Sequence, residues 1–425
     1  MNIEEIYRLY LENPSLETDT RKIKKGDLFF ALKGPTYNGN QYAEQALQLG
    51  ASYCICDEAT EFKSEKIILV TDVLTTLQQL AKYHRNQFTI PFIAITGSNG
   101  KTTTKELVSA VLATRYKTYT TEGNLNNHIG VPLTILRVQK DAEIAIIEMG
   151  ANHRKEIASY CEYCLPTHGN ITNCGKAHLE GFGGEEGVRI GKGELFDFIR
   201  QNRGTAFINA DYDYLEEMST GIENIVSYGE TKGELIGSIV NDDTYLEVGI
   251  TKGANLPSIK TQLVGGYNLP NILTAVCIGK TFNVPEDAIQ KAIEGYSPSN
   301  SRSQLVQQQG NKVIMDAYNA NPTSMRAAIE NFAKMEGNKK IIILGAMREL
   351  GEASLYEHGA IVKLLEQYPW QQVALVGKDF TDLPPAYLHF SDSLQAKDWY
   401  QQQKFQNCQI LVKGSRGLQM EKVVE

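Results

Sequence analysis

The chain has 425 residues, of which 42% are hydrophobic and 22% are charged. This is the composition of an ordinary globular protein, and it excludes a fibrous or largely disordered chain. The length predicts about three domains, because one domain takes roughly 150 residues. The formal net charge of -8 disfavours a general nucleic-acid binder, since a phosphate backbone demands a basic surface.

Membrane and export signals are missing from the sequence pattern. The longest apolar runs, such as residues 341–344, are far shorter than the roughly 20 residues of a membrane-spanning helix. The first seven residues include two glutamates, whereas a secretory signal begins with basic and then apolar residues. Seven cysteines in such a chain predict reduced thiols. We expect a cytoplasmic protein without stable membrane association and without a nucleic-acid partner.

Residues 1–88 mix helical periodicity with short strand-like runs, which predicts a small α/β domain. These runs lie at 27–32, 51–56 and 67–70.

Residues 89–298 alternate between apolar strand, glycine-containing turn and polar helix, as a parallel sheet with crossover helices does. Within them, residues 233–260 alternate in polarity and predict an antiparallel addition. A turn-rich stretch at 297–302 predicts a linker. Beyond it, residues 299–425 predict a second parallel α/β domain, with strand-like runs at 312–316, 340–344, 372–376 and 409–412.

A glycine loop, TGSNGKTTT at 96–104, follows the apolar run 91–95 and precedes a helix start. Strand, glycine loop and helix N-terminus together form an anion site, because backbone N–H groups and the helix dipole favour negative charge. There Lys101 would neutralise the β- and γ-phosphates and the Thr102 hydroxyl would bind Mg²⁺. The loop has the form GxxGKT and not GxxxxGK[ST], whose first glycine would fall at Ile95. We interpret it as a nucleotide site; the alternative is a surface turn that carries a lysine.

Two further patterns bear on metal binding. Glu148 ends an apolar strand-like run, and a carboxylate at the C-terminal end of a parallel strand lies where ligands bind. Mg²⁺ prefers oxygen ligands, so Glu148 is a candidate metal ligand. Cys161 and Cys164 have metal-like spacing, but no second pair completes a site, and we expect them to pack along a helix.

The segment 96–106, TGSNGKTTTKE, resembles the ATP loop of the Mur ligases and of their folylpolyglutamate synthetase relatives. Mur ligases are ATP-dependent amide-bond-forming enzymes that build the peptide of bacterial peptidoglycan. The resemblance extends over essentially the whole chain. It implies nucleotide contacts from the loop residues Gly97, Ser98, Asn99, Gly100, Lys101, Thr102 and Thr103.

The same resemblance implies roles for residues after the loop. Glu148 corresponds to the family's magnesium-binding glutamate. His178, in NITNCGKAHLEGFG at 170–183, corresponds to a ligand of a second cation, while Asn173 shapes the loop and the Cys174 thiol takes no part. Lys192, in GVRIGKGELF at 187–196, corresponds to a lysine that becomes a carbamate in several members. A carbamate that binds metal and a plain ammonium that contacts phosphate both stay open.

Two more segments and one arginine carry implied contacts. NLNNHIGVP at 124–132 resembles a substrate-binding element and implies Asn126 and Asn127. GGYNLPNILTA at 265–275 implies an adenine contact from Asn271, although Tyr267 replaces the family's usual histidine. Arg302 corresponds to an arginine near the γ-phosphate.

The strings DAYNANP at 316–322, ILGAMRELG at 343–351 and KGSR at 413–416 resemble the family member that adds D-alanyl-D-alanine to UDP-N-acetylmuramoyl-tripeptide. Asp316 would accept the ribose hydroxyls, and Asn319 would contact substrate. The second string departs from the common form, with Ala346 where an acid is usual. A DNPR string, the mark of the diaminopimelate-adding relative, is missing.

DTRKIKKGDLFFALKG at 19–34 resembles the family's UDP-sugar domain and implies substrate contacts from Thr20 and Arg21. Its basic residues could equally form an ordinary solvated face. The family's DGH tripeptide reads Asn38-Gly39-Asn40 here, which weakens the transfer of individual roles.

The resemblance therefore implies three α/β domains. These are a small UDP-binding domain at 1–88, a central P-loop ATPase domain with a parallel sheet at 89–298, and a Rossmann-like domain at 299–425. We expect a monomeric ligase that uses ATP and Mg²⁺, with catalytic contributions from Lys101, Glu148, His178, Lys192 and Arg302. Another amide ligase of the folylpolyglutamate type, or a P-loop kinase, is the alternative.

Overall fold

The computed structural model describes residues 1–59, 62–298, 302–380 and 387–425. Its helices are α1 (Ile3–Glu12), α2 (Ala43–Gln48), α3 (Val73–Arg85), α4 (Lys101–Ala113), α5 (Gly130–Leu136), α6 (Glu156–Cys164), α7 (Leu179–Phe182), α8 (Glu185–Gln201), α9 (Asp213–Ser219), α10 (Leu269–Thr281), α11 (Glu286–Gly295), α12 (Pro322–Lys334), α13 (Ser354–Leu365) and α14 (Ser393–Gln403).

The strands are β1 (Leu16–Glu17), β2 (Leu28–Phe30), β3 (Lys33–Gly34), β4 (Tyr37–Asn38), β5 (Tyr53–Cys56), β6 (Ile67–Leu69), β7 (Phe92–Thr96), β8 (Thr118–Thr120), β9 (Ile144–Glu148), β10 (His168–Ile171), β11 (Thr205–Asn209), β12 (Asn224–Gly229), β13 (Leu235–Asn241), β14 (Glu247–Lys252), β15 (Ile259–Lys260), β16 (Gln304–Gln308), β17 (Asn311–Asp316), β18 (Lys340–Gly345), β19 (Gln372–Val376), β20 (Leu388–Phe390) and β21 (Gln409–Lys413).

The chain divides into two compact units. The first comprises residues 1–94, 116–150 and 156–169, and the second comprises residues 95–115, 151–155 and 170–425. Among the described residues, no helix is both long and apolar enough to cross a membrane. The linker predicted at 297–302 lies partly outside the described residues.

The first unit contains a four-stranded parallel sheet of order β1-β2-β5-β6. Helix α1 is amphipathic and begins with a capping box, in which Asn2 Oδ1 accepts from the Glu5 N–H at 2.9 Å. Its buried face includes Tyr7, whose hydroxyl lies 3.0 Å from Nδ1 of His84 on α3. The predicted α/β character of this region is confirmed.

A nine-stranded sheet has the order β15-β14-β13-β12-β11-β10-β7-β9-β8. The pairs β8–β9, β11–β12 and β12–β13 are parallel. The pairs β13–β14 and β14–β15 are antiparallel, so the antiparallel addition predicted at 233–260 is confirmed. The phosphate loop follows β7, and residues 172–178 follow β10.

The second unit ends in a six-stranded sheet of order β16-β17-β21-β18-β19-β20. Among the strands described for this sheet, the β16–β17 pair is antiparallel and the other four pairs are parallel, which agrees with a predominantly parallel α/β domain. Its core includes Val313, Ile343 and Ile410, all fully buried. The register places Asp316, the last residue of β17, opposite Lys413, the last residue of β21.

Candidate active site

The phosphate loop between β7 and α4 requires glycine at two positions. Gly97 and Gly100 have φ angles of 140° and 79°, which side chains rarely tolerate. A Cβ atom on Gly97 would lie 2.0 Å from Thr172 Oγ1, and one on Gly100 would lie 2.5 Å from Asn271 Oδ1. The predicted strand, glycine loop and helix are confirmed as local structure.

Residues after β10 fix the loop backbone. Asn173 Oδ1 accepts from the Asn99 N–H at 3.1 Å, and Asn173 Nδ2 donates to the Asn99 carbonyl at 3.1 Å. The Thr172 hydroxyl donates to the same carbonyl at 2.6 Å, and the Ser98 hydroxyl donates to the Gly175 carbonyl at 2.9 Å. The predicted loop-shaping role of Asn173 is therefore visible in its hydrogen bonds.

The first turn of α4 carries the predicted cation and hydroxyls. Lys101 Nζ donates to the carbonyls of Gly97 and Ser98 at 2.7 and 3.2 Å. Thr102 is buried at 5% exposure, and Thr103 is partly exposed. The lysine charge therefore lies directly on the glycine loop, where a phosphate group would meet it.

Asn271, predicted to contact adenine, borders the phosphate loop. Its Oδ1 accepts from the Thr104 hydroxyl at 3.0 Å, and its Nδ2 donates to Asn268 Oδ1 at 2.9 Å. Asn268 in turn donates to the Val264 carbonyl at 2.9 Å. These bonds tie the start of α10 to α4, while the adenine contact stays a prediction.

Glu148 and Asn126, two predicted site residues, meet in the first unit. Asn126 Nδ2 donates to Glu148 Oε1 at 2.7 Å, and Glu148 is 1% exposed. The neighbouring Asn127 has a different part: its Oδ1 accepts from the N–H groups of Ile129 and Gly130 at 3.1 and 2.8 Å and so starts α5.

His178 lies in the left-handed region, with φ 53°, and its Nδ1 is hydrogen-bonded to Glu349 Oε2. This bond lowers the pKa of the Glu349 carboxyl below its usual range. Two residues earlier, Lys176 Nζ lies 2.7 Å from Glu357 Oε1. The loop after β10 is therefore joined to the residues that follow β18 by a hydrogen bond from His178 and an ion pair from Lys176.

Lys192 is 1% exposed in the middle of α8. Its Nζ donates to the Ala151 carbonyl at 3.0 Å and lies 4.9 Å from the centre of the Phe182 ring.

Burial raises the pKa of the Cys174 thiol to about 12, which fits a cysteine that takes no part in the chemistry. Cys161 and Cys164 lie buried on α6, as the packing interpretation predicts.

Asp316, the predicted ribose ligand, forms an ion pair with Lys413. The Lys413 Nζ lies 2.6 Å from Asp316 Oδ2 and 3.3 Å from the Asn319 carbonyl. The Ser303 N–H donates to Asp316 Oδ1 at 3.2 Å. The Asn319 side chain is exposed.

The Arg302 guanidinium stacks on the Tyr318 ring, with its Cζ atom 3.6 Å from the ring centre. Arg416, from the KGSR string, approaches the same ring at 5.8 Å and pairs with Glu421 at 2.9 Å. Two guanidinium groups therefore lie near the Tyr318 ring, and a planar cationic fork on such a surface suits an anionic ligand.

In the N-terminal segment, Arg21 pairs with Asp19 at 2.7 Å, and its side chain is 86% exposed. The neighbouring lysines of the segment are also exposed, as expected of a solvated face. A cavity of about 270 Å³ lies beside it in the first unit, lined in part by Glu17, Lys22 and Arg137. Neither Thr20 nor Arg21 lines this cavity, and their substrate contacts stay predictions.

Metal binding by the predicted residues stays a prediction as well. Within the described ranges, no three His, Cys, Asp or Glu side chains lie close enough together to hold a metal ion. The Thr102 hydroxyl and a carbamate on Lys192 are further donors that do not belong to these four residue types.

The site also includes groups that the sequence interpretation did not single out as site residues, namely Thr172, Asn321, Glu349 and Lys413. All four stand inside strings that carry the family resemblance, although none was assigned a role as a site residue. An Asn directly before Pro322 is a helix N-cap signal, and Lys413 ends a predicted strand as Asp316 does. Glu349 has no comparable local signal.

Comparison with known proteins defines the class. Family models described as "Mur ligase family, catalytic domain", "Mur ligase middle domain" and "Mur ligase, glutamate ligase domain" match residues 15–85, 95–279 and 301–416. The chain belongs to the Mur ligase family and is an ATP-dependent ligase.

Particular relatives narrow the comparison further. The UDP-N-acetylmuramoyl-tripeptide--D-alanyl-D-alanine ligase of Bacillus subtilis (strain 168) is 34% identical to this chain. The alignment covers 100% of this chain and 97% of that ligase. The ligase of the same name from Escherichia coli (strain K12) is 33% identical, and the alignment covers 96% of this chain and 92% of that ligase.

Two solved structures agree with these relatives. MurF from Acinetobacter baumannii superposes with a TM-score of 0.88 at 30% identity and covers 96% of this chain and 92% of that chain. The MurF ligase from Thermotoga maritima, solved in complex with ADP, has a TM-score of 0.87 at 27% identity. The superposition covers 97% of this chain and 96% of that chain. The predicted three-domain α/β architecture is thus confirmed as that of MurF structures.

Proposed function

We propose that the protein joins D-alanyl-D-alanine to UDP-N-acetylmuramoyl-tripeptide in peptidoglycan synthesis. The products are UDP-N-acetylmuramoyl-pentapeptide, ADP and phosphate. The observation that carries the proposal is the lysine-bearing phosphate loop, in a chain similar over its length to ligases of that name.

The reaction must activate a carboxylate, which is a poor electrophile because its leaving group would be oxide. A carboxylate oxygen of the tripeptide attacks the γ-phosphorus of ATP, ADP leaves, and an acyl phosphate forms. The amine of D-alanyl-D-alanine then attacks the acyl carbon and loses a proton, and the tetrahedral intermediate expels phosphate to leave the amide.

Phosphoryl transfer depends mainly on positioning and on charge neutralisation. The loop N–H groups and Lys101 bind the β- and γ-phosphates, and Arg302 stabilises the charge on the transferring group. Asp316 accepts the ribose hydroxyls and Asn271 contacts adenine.

Two of the predicted metal ligands carry the donor atoms that Mg²⁺ prefers. Glu148 is a buried carboxylate at the end of β9, and Thr102 offers a buried hydroxyl, both being the oxygen donors that Mg²⁺ prefers. His178 and a carbamylated Lys192 would complete the ligands. Bound Mg²⁺ neutralises phosphate charge.

Each predicted domain has a part in this proposal. Residues 1–88 bind the UDP sugar, with Thr20 and Arg21 among the contacts. Residues 89–298 bind ATP and metal, and Asn126 and Asn127 face substrate. Residues 299–425 bind adenosine and the dipeptide, with Asn319 as a contact, and the protein acts as a cytoplasmic monomer.

A component-omission assay tests the proposal. Purified protein is mixed with ATP, Mg²⁺, UDP-N-acetylmuramoyl-tripeptide and D-alanyl-D-alanine, and phosphate release is measured with each component left out in turn. We expect release only from the complete mixture. ADP is measured in the same mixtures, and its sustained formation without the dipeptide and without free phosphate would favour a kinase, because a kinase leaves the phosphoryl group on its acceptor. Phosphate release with glutamate and a folate in place of both substrates would favour the folylpolyglutamate alternative.

A further inference from the structure

The N-terminal end of α12, in the C-terminal part of the chain, contacts the phosphate loop directly through its N-cap residue. Asn321 Nδ2 donates to Asn99 Oδ1 at 2.7 Å, and Asn321 is 7% exposed. Nearby, the Lys176 N–H donates to the Thr323 hydroxyl at 3.0 Å. Two residues of one helical turn thus contact the loops that follow β7 and β10.

The orientation of the Asn321 amide is fixed by its part in capping α12. Its Oδ1 accepts from the Ser324 N–H at 2.9 Å, and the Ser324 hydroxyl accepts from the Asn321 N–H at 3.1 Å. Because only the amide oxygen can accept the Ser324 N–H, the amide nitrogen must face Asn99. Exchanging the two atoms would lose both bonds.

This orientation determines that of Asn99 in turn. A donor faces Asn99, so the accepting atom there must be Oδ1, and Nδ2 is left at the other end of the amide. Within the described part of the chain, Asn99 Nδ2 is shielded from solvent and has no hydrogen-bond partner. Buried donors are normally satisfied, and the loop residue that carries this one is a predicted nucleotide contact.

We propose that Asn321 is a positioning residue for the phosphate loop. By capping α12 it orients the Asn99 amide so that Nδ2 donates to a phosphate oxygen of the bound nucleotide. The proposal rests on the nucleotide binding in the proposed function. It also makes the C-terminal domain contribute to phosphate binding through a contact with the loop.

The chain allows a variant that separates capping from positioning. Asn321→Ser keeps an N-cap hydroxyl, since Ser caps helices about as well as Asn, but it removes the amide that reaches Asn99. Asn99→Ala removes only the side-chain partner, because Thr172 and Asn173 bond to the Asn99 backbone. Asn2→Ser is the matched control, since Asn2 forms the same kind of capping box on α1.

The experiment is a double-mutant cycle on the affinity for a non-hydrolysable ATP analogue with Mg²⁺, measured by calorimetry beside the melting temperature. We expect Asn321→Ser and Asn99→Ala each to weaken binding by about 3- to 10-fold, the usual range for one hydrogen bond. The double variant should bind no more weakly than Asn99→Ala. The melting temperature of Asn321→Ser and the affinity of Asn2→Ser should match those of the unaltered protein.

Two results would overturn the inference alone: unchanged affinity in Asn321→Ser, or a double variant whose loss equals the product of the two single losses. A loss of affinity that tracks a lowered melting temperature would assign Asn321 a structural role only. If the unaltered protein binds no nucleotide, both the inference and the proposed function fail.

Discussion

At the residue scale, the ion pair between Lys413 and Asp316 joins the ends of two neighbouring strands. The Lys413 side chain is 2% exposed and that of Asp316 is 16% exposed. We predict that Lys413→Met destabilises the protein by about 3 kcal/mol, because removing one partner leaves a buried charge without compensation. Urea unfolding measures this change.

Two variants serve as controls for that prediction. Lys413→Met combined with Asp316→Asn should recover part of the loss, since no charge is then left alone. Lys312→Met, at an exposed position on β17, should change stability by less than about 0.5 kcal/mol. Equal losses in Lys413→Met and Lys312→Met would contradict the assigned role.

Sequence patterns locate single residues well where the chemistry lies in one short segment. The strand–loop–helix structure at 92–113 could be predicted because its strand, glycines and lysine are consecutive, and the position of Glu148 at the end of β9 could be predicted because it follows an apolar run. Glu349 could not be predicted, since it meets His178 across 171 sequence positions. In the string 316–322 the sequence predicts a contact from Asn319 and not from Asn321, because only the folded structure shows that the Asn321 amide reaches the phosphate loop.

At the scale of elements, the turn from β7 into α4 depends on Gly97. We predict that Gly97→Ala weakens nucleotide affinity at least about tenfold and destabilises the fold by about 1–3 kcal/mol. The added Cβ would collide with the Thr172 hydroxyl, which itself bonds the loop backbone. Titration with an ATP analogue and thermal unfolding measure the two effects.

Gly26→Ala is the control for backbone strain alone. Gly26 has φ 100°, and an added Cβ would meet no atom within 4 Å. This variant should lose some stability and keep its nucleotide affinity. If Gly97→Ala binds nucleotide as Gly26→Ala does, the loop geometry does not govern binding.

Strand prediction succeeded for the fully buried strands and missed the edge strands β16 and β20, although it found the edge strand β6 in the run 67–70. The apolar runs of β7, β9 and β18 have every residue buried, and such continuous runs are typical of parallel sheets covered on both faces. Edge strands β16 and β20 are partly exposed and more polar, as edges often are, and their sequences carry no strong signal.

At the scale of the whole molecule, stability should depend on buried histidines. His358 is fully buried; its Nδ1–H donates to the Ser354 carbonyl at 2.7 Å, and its Nε2 accepts from the Met347 N–H at 3.0 Å. Burial lowers its pKa, and burial also lowers the pKa of His84 and brings that of His168 to about 4.

These lowered pKa values set the direction of the pH dependence. Below neutral pH the folded protein binds fewer protons than the unfolded chain, in which a histidine has a pKa of about 6.5. The stabilisation is therefore complete above that pH and is lost as the pH falls below it. We predict that the melting temperature decreases between pH 7.5 and 5.5.

Glutamine variants test which histidines are responsible. His358→Gln keeps an acceptor and a donor but cannot titrate, so its melting temperature should fall less over the same range. His389→Gln, at an exposed position, should behave like the unaltered protein. A melting temperature that rises on acidification would contradict this account.

The net charge of -8 disfavours a general nucleic-acid binder but could not predict the anionic ligands of the proposed function. In the proposed function, Lys101, Arg302 and the loop N–H groups would compensate the charge of these ligands locally. The length predicts the approximate number of domains, whereas contacts within the second compact unit, such as that from Lys176 to Glu357, could not be predicted from it.

The central claim is that the protein forms an amide through an acyl phosphate. The most direct test supplies UDP-N-acetylmuramoyl-tripeptide with ¹⁸O in its terminal carboxylate, together with ATP, Mg²⁺ and D-alanyl-D-alanine, and analyses the released phosphate by mass spectrometry. We predict that each phosphate released carries one ¹⁸O atom, since the carboxylate oxygen leaves with it. Unlabelled phosphate released during turnover would contradict the claim.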